Sequence, residues 1–251
     1  TKEKNLPVMQ TLAAVMRNFD IIAIQEIRIN DDYLLRRFID TYLNPYSGQT
    51  YDYVLGPRLG RSVSKEQYAF IYNTARIEVN PNHIYTIRDP NDLLHRPRLV
   101  AMFRTRGPQP HEAFTFVLVN VHTDPDDADE EVNYLALAYQ AVRGASHGED
   151  DIILLGDFNA DDKKLGDLGR VPGVRPLIAG VFSTTQQNAL YDNIVVHRPS
   201  TSEFTGQAGV YDIQRWHNLT LDQALMVSDH LPVWAEFSIY EARAPGRVAA
   251  R

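Results

Sequence analysis

The run Ile152-Ile153-Leu154-Leu155-Gly156-Asp157-Phe158-Asn159 constrains this chain more than any other stretch. Four aliphatic residues in succession fit a strand buried on both faces. Gly156 then breaks the pattern, and an acid and an amide follow two residues apart. In an extended segment, side chains at i and i+2 point the same way. Asp157 and Asn159 are therefore expected to stand together at the C-terminal edge of a sheet. An anion and a neutral amide there suit a hard cation, or a water activated beside a phosphate. The same residue types are ordinary turn formers, so a plain turn stays open on this run alone.

A chain of 251 residues with 44% hydrophobic content can bury one large core. Its net charge of -7 speaks against a generally basic nucleic-acid binder. It still permits phosphate contacts through a few local arginines or a metal. The absence of cysteine excludes disulfides, thiolate metal sites and cysteine nucleophiles, and leaves the compartment open. No apolar run reaches the length of a membrane span, and no signal peptide is visible. The chain starts at Thr1 rather than Met, so a leader or a first strand is expected to be missing from it.

Leu6, Met9, Leu12, Ala13 and Met16 recur at helical spacing, and Ile21-Ile22-Ala23-Ile24 follows as a buried strand running into Gln25-Glu26-Ile27-Arg28. A carboxylate just past a buried strand can ligate a metal, or can be a surface acid satisfied by Arg28. Asp31 and Asp32 mark a second helix start, with Leu34, Leu35, Phe38, Ile39 and Tyr42 as its apolar face. After a strand at 51–55 comes a Gly-punctuated basic loop with Arg58, Arg61 and Lys65. Such a loop reaches for a phosphate backbone or is simply solvated. Glu66 opens the next strand. Further strands are expected around 75–87, 99–103 and 114–121, the last ending at His122. The acids that follow complement the dipole of a helix over 128–142. They lack the spacing of a calcium loop. Residues 160–180 are expected to be mostly loop. Tyr191-Asp192-Asn193-Ile194-Val195-Val196 forms a strand, and Ser228-Asp229-His230-Leu231-Pro232 opens the last one. Asp229 and His230 should point in opposite directions on an extended chain.

Glu26, His122, Asp157, Asn159, Asp192, Asp229 and His230 thus share one pattern, each at the end of an expected strand. The set holds carboxylates, an amide and two imidazoles, with no Ser or Cys nucleophile motif. It suits metal-assisted hydrolysis with water as the nucleophile.

These segments carry a resemblance. Gln25-Glu26-Ile27-Arg28, Gly60-Arg61-Ser62-Val63-Ser64-Lys65-Glu66-Gln67-Tyr68, Arg96-Pro97-Arg98-Leu99-Val100, Asn120-Val121-His122, Gly156-Asp157-Phe158-Asn159, Tyr191-Asp192-Asn193-Ile194 and Ser228-Asp229-His230-Leu231-Pro232 occur in this order over nearly the whole chain. Together they resemble the endonuclease/exonuclease/phosphatase superfamily, and within it the deoxyribonuclease I-like nucleases. The resemblance implies a four-layer α/β sandwich of two packed, mainly antiparallel sheets flanked by helices, in one domain over 1–241 with a flexible tail at 242–251. It implies that Glu26 binds Mg²⁺ or Mn²⁺ with Asp229 nearby. Asp157 and Asn159 would position the attacking water and the scissile phosphate, with room for a second metal. It pairs His230 with Asp192 and His122 with Glu66. Arg28 and Arg96, with Arg61 and Lys65 of the basic loop, would contact phosphate. The implied partner is nucleic acid, duplex DNA, bound by a monomer.

The chain departs from the pattern in several places. Family members begin with a strand carrying an Asn that helps build the site, and this chain begins after it. Ser64 stands where the family's DNA-contacting Tyr is expected. The nuclease's disulfide is absent, and its calcium-binding segments have no clear counterpart. A phosphatase acting on a small or lipid phosphoester, and a catalytically weakened binding module of the same fold, therefore remain beside the nuclease as alternatives. The inositol-phosphatase branch is disfavoured, since it has a Trp before its Gly-Asp-x-Asn and a Cys-Asp-Arg segment where this chain has Leu155 and Tyr191-Asp192-Asn193.

Overall fold

The computed structural model describes residues 2–46, 48–60 and 65–242. Arg61 and Ser64 of the basic loop, and the expected tail from residue 243 onward, lie outside the described residues. In chain order the strands are β1 (Ile21–Ile27), β2 (Tyr51–Leu55), β3 (Gln67–Asn73), β4 (Ile77–Thr86), β5 (Leu99–Thr105), β6 (Thr115–His122), β7 (Ile152–Asp157), β8 (Val174–Pro176), β9 (Asp192–His197), β10 (Phe204–Val210) and β11 (Val233–Phe237). The α-helices are α1 (Leu6–Met16), α2 (Leu34–Phe38), α3 (Ala128–Ala145), α4 (Gly166–Arg170), α5 (Ile213–His217) and α6 (Leu221–Val227).

The side-chain alternation of the central strands builds the layers. Along β6, Val117, Val119 and Val121 join Ile152 and Leu154 of β7 and Val195 of β9 against Val132, Leu135, Tyr139 and Val142 of α3. The intervening residues Phe116, Leu118, Ile153, Ile194 and Val196 face the other way, onto Tyr68 and Phe70 of β3. Strands buried on both faces read as continuous apolar runs for this reason. The six-stranded sheet has the order β4-β5-β6-β7-β9-β8. Its β6–β7 pair is parallel and its other pairs are antiparallel. Opposite it lie the sheet β1-β3-β2 and the ribbon β10-β11. On the far side, Met9 and Ala13 of α1 and Leu35 and Phe38 of α2 cover Ala69 and Ile71 of β3. The result is helix, sheet, sheet, helix, as the resemblance implied.

The second sheet layer is split. Among the described residues β1 and β11 each pair on one side only, and an apolar cleft of about 1080 Å³ opens between them. Asn120, wholly buried on the inner face of β6, bridges the two layers. It accepts a hydrogen bond from Gln25 Nε2 at 2.6 Å, and its own amide donates to the carbonyls of Ile24 and Ala69 at 3.2 and 3.0 Å.

Two parts of the chain differ from the sequence expectation. Residues 160–180 hold α4 and β8, whose Leu168 and Val174 are buried in the α3-side core. Burial against α3 orders this segment despite its glycines. Gly156 does not end its strand either, because β7 continues to Asp157. The glycine is there for space: its φ is +135°, and a Cβ would lie 2.0 Å from the Val121 carbonyl oxygen and 2.9 Å from Gln25 Nε2. Gly156→Ala should therefore destabilise the fold by about 1–3 kcal/mol or more, measured as the urea midpoint at unchanged m-value. A wild-type midpoint would show that the close approach imposes no constraint.

Candidate active site

Strand register assembles the site. In the parallel pair β6–β7, His122 stands opposite Asp157, and in the antiparallel pair β7–β9, Asp157 stands opposite Asp192. The three residues form one row across adjacent strands, spaced by roughly 4.8 Å per strand. Each continues the inner-face alternation of its strand, from Leu118 through Asn120 to His122, from Ile153 through Leu155 to Asp157, and from Val196 through Ile194 to Asp192. The apolar core between the sheets therefore ends in a row of titratable groups.

His122 is held from across the sandwich. Glu66, just before β3 and fully buried, lies with its Oε1 2.6 Å from His122 Nδ1. With Nδ1–H donated to Glu66, Nε2 is left facing the acids: it is 3.8 Å from Asp157 Oδ2 and 3.9 Å from Glu26 Oε1. A buried network that sequence reasoning missed holds the backbone of His122. Arg98 is wholly buried and donates to the His122 carbonyl at 2.8 Å, to Tyr68 Oη at 3.2 Å and to Glu131 at 2.8 Å. Tyr68 donates to the same carbonyl at 3.2 Å, and burial pushes its phenol up to about 12. Glu131 lies in the first turn of α3, just after the aspartates expected to complement the helix dipole. It is in fact the buried partner of Arg98. Its place three residues after Ala128, on the same helix face as Val132 and Leu135, was the available signal.

The second imidazole is built similarly. His230 Nδ1 lies 2.8 Å from Asp192 Oδ2 and 4.0 Å from Asp157 Oδ2. Ser183, which the sequence reading did not single out, donates its hydroxyl to Asp192 Oδ2 at 2.6 Å and accepts the N–H groups of Tyr191 and Asp192 at 3.0 Å. Burial of the His230 ring opposes its charged form, but the hydrogen bond and charge of Asp192, with Asp157 and Asp229 beyond, outweigh it and raise the imidazole to about 9. Asp157 lies between the two histidines. Burial, then the nearby Asp192, pushes its carboxyl up to about 6, while both imidazoles pull it down.

Asp157 and Asn159 do not share an extended segment. Asn159 has φ +46°, its N–H donates to Asp157 Oδ1 at 2.8 Å, and its amide donates to the Thr123 carbonyl at 3.0 Å. The turn and the functional reading of this stretch are thus the same object: the turn fixes the carboxylate. Glu26 is placed by a bulge. By alternation it belongs with Ile22 and Ile24, which face the helices. The β1–β3 register shifts between Ile24 and Ile27, and Glu26 takes φ +60°, which turns its carboxylate toward His122. Arg28 bonds to Glu26 at 3.1 Å, both half-exposed. Arg96 is buried beside Glu66, with Nε 3.4 Å from Oε1, and neither its Nε nor its Nη1 has a hydrogen-bond partner. Lys65 is exposed at the end of the basic loop. Asp229 is exposed and acts on His230 only through its charge; it is not in any close group of acids with Glu26 among the described residues.

At this site two sets of donors converge closely enough to hold an ion: Glu26, Glu66 and His122, and Asp157, Asp192 and His230. Glu26, Glu66, Asp157, Asp192 and Asp229 together outnumber the cations Arg28, Arg96 and charged His230. Glu26 and Asp157 approach the same imidazole nitrogen. An oxygen-rich, anionic set of this kind fits a hard divalent cation.

The His230–Asp192 pair stabilises the fold fully below the ordinary histidine value of 6.5, and that contribution is lost as pH rises through about 9. Asp192→Asn should bring the His230 midpoint in an NMR titration down from about 9 toward 6.5. A midpoint still at about 9 would show that Asp192 does not hold the charge.

Comparison with known proteins adds the family. The model of the Endonuclease/Exonuclease/phosphatase family matches residues 1–230. Deoxyribonuclease-1-like 1 of Cricetulus griseus is 33% identical over 244 residues, covering 92% of this chain and 78% of that protein. Deoxyribonuclease-1 of Bos taurus is 30% identical over 248 residues, covering 93% of this chain and 86% of that protein. Among solved structures, D. rerio TDP2 complexed with single strand DNA product superimposes with a TM-score of 0.62 at 14% identity, over 91% of this chain and 90% of that one. A functionally unknown conserved protein from Enterococcus faecalis V583 gives 0.65 at 18% identity, over 92% and 90%. With a row of His–carboxylate pairs at the strand ends and relatives of this identity along nearly its whole length, the chain belongs to the Endonuclease/Exonuclease/phosphatase family and resembles its deoxyribonuclease I-like members.

Proposed function

We propose that this protein is a metal-dependent phosphodiester hydrolase that cuts duplex DNA, acting as a monomer. The observation that carries the reading is the continuous array Glu66–His122, Asp157, His230–Asp192, in which one acid lies between two imidazoles that are each held by another acid. Relatives named as deoxyribonucleases, aligned along most of their own length, support DNA as the substrate.

The residues divide the work by their environments. Asp157, with its carboxyl raised toward neutrality, accepts the proton of the attacking water, and Asn159 holds the turn that aims it. General bases work best with pKa values near the operating pH. His230 is charged at neutral pH and has Nδ1 engaged by Asp192, so Nε2 is the atom that donates a proton to the leaving oxygen. His122 presents Nε2 to the phosphate from the other side. The unpartnered N–H groups of Arg96, beside Glu66, are donors for a phosphate oxygen, and Arg28 is a second. Glu26, Asp157 and Asn159, with Asp229 at the rim, would hold Mg²⁺ or Mn²⁺. When bound, such a cation neutralises phosphate charge and polarises a coordinated water. Arg61 and Lys65 are proposed to grip the DNA backbone. Among the described residues β1 and β11 each leave one edge unpaired around an apolar cleft, which supports the expected additional strand between them, beside Gln25 and Glu26.

Nicking of plasmid DNA should require Mg²⁺ or Mn²⁺ and stop with chelator, and Glu26→Gln should weaken metal binding in a calorimetric titration. Full activity in chelator, or wild-type metal titration of Glu26→Gln, contradicts the reading. His122→Ala and His230→Ala should each lower turnover by about 10²–10⁴-fold while staying folded. Folded variants with wild-type turnover would remove both imidazoles from the chemistry.

A further inference from the structure

A second group of acids lies at the end of the sandwich away from this site. Asp151 directly precedes β7, the strand that carries Asp157 at its other end. Six residues at about 3.3 Å each separate the two by about 20 Å. Around Asp151 gather Glu203, just before β10, and Glu241, beyond β11, each offering an oxygen within 4.8 Å of the others. Glu149 and Asp150 adjoin through an overlapping group with Asp151.

This group is built into the protein rather than laid on its surface. Asp151 is 1% exposed and Glu203 3%, and Asp151 Oδ1 and Glu203 Oε2 have no hydrogen-bond partner. Thr201, wholly buried between β9 and β10, turns its hydroxyl to Asp151, where hydrogen bonding favours the charged carboxylate. Other oxygens are already fixed: Ala242 N–H donates to Glu203 Oε1 at 2.7 Å, Thr115 N–H to Glu241 Oε2 at 3.2 Å, and Asp151 N–H to Glu149 Oε1 at 2.9 Å. The main charges acting on Asp151, Glu149 and Glu241 come from other carboxylates. Burial first, then this repulsion, pushes Asp151 up to about 8 and Glu149 up to about 7. Buried anions without a partner are costly. Either protons or a cation must neutralise them.

We propose that Asp151, Glu203, Glu241 and the Thr201 hydroxyl form a structural site for a divalent cation of the Ca²⁺ class. Ca²⁺ takes six to eight oxygens at about 2.3–2.6 Å, so two oxygens across it stand up to about 5 Å apart, against about 4 Å for Mg²⁺. A set made only of carboxylate and hydroxyl oxygens, two of its acids buried, suits an ion that accepts many protein oxygens and sheds its water readily. The ion would tie the start of β7 and the β9–β10 turn to the segment after β11, fastening the two sheet layers at the end remote from the chemistry.

The test is equilibrium dialysis of the chelator-stripped full chain against radioactive calcium, together with its thermal melt in CaCl₂ and in MgCl₂. The wild type and Glu26→Gln should both bind Ca²⁺ and melt higher in it. Glu203→Gln, shown folded by circular dichroism, should bind about tenfold more weakly or worse and lose the shift. If Glu203→Gln does not fold, Glu241→Gln, which alters a partly exposed ligand, takes its place with the same expectation. Undiminished binding by the folded variant overturns the proposal. So does a wild type that binds no Ca²⁺ beyond what Glu26→Gln removes, which leaves protons as the neutralising partner. Equal stabilisation by Mg²⁺ overturns the assignment of ion class.

Discussion

The register of three adjacent strands is the constraint on which the site depends. The β6–β7–β9 pairing sets His122, Asp157 and Asp192 in one row on the inner face. A slip of one residue in any of these strands would carry its member of the row to the α3 side. The apolar alternation below the row prevents the slip, since Leu118, Ile153, Leu155 and Ile194 would have to leave the inner core. Gly156 lets β7 lie against the Val121 carbonyl at the last step before Asp157. Asn120 then ties the row's sheet to β1 and β3, which bring Glu26 and Glu66.

Around this row, geometry sets the charge state. Each imidazole has one nitrogen committed to a buried acid, so each turns its other nitrogen outward from a fixed position. Like charges at Asp157 and Asp192 are tolerated because His230 touches both. Burial, and after it the charge of Asp192, still raises the carboxyl of Asp157, which is the property a proton acceptor near neutral pH needs. Arg98 and Glu131 contribute from below without facing the centre, by holding the carbonyl of His122.

Much of this was legible in the sequence, for a physical reason. Strands buried on both faces announce themselves as apolar runs, and the polar residue that ends such a run must lie at the sheet edge. His122, Asp157 and Asp192 were found that way. What failed to show depends on backbone detail or distant packing. Glu26 reaches the site only through a bulge with a left-handed residue, and Asn159 only through a turn, so alternation misplaces both. Arg98 and Glu131 look like surface charges until the fold buries them together. Residues 198–227, passed over in the sequence, form β10, α5 and α6. There the capping box of Thr220 and Gln223 was a readable helix start.

The central claim is that Asp157, between two held imidazoles, activates the water. Turnover of plasmid DNA by Asp157→Asn tests it most directly, because the substitution keeps the shape and removes the base. The account predicts a fall of about 10²–10⁴-fold in a variant that remains folded. Its stability should be no lower than wild type, because a carboxyl whose folded value is raised to about 6 disfavours the fold when ionised. A folded Asp157→Asn variant that cuts DNA at the wild-type rate would contradict the account.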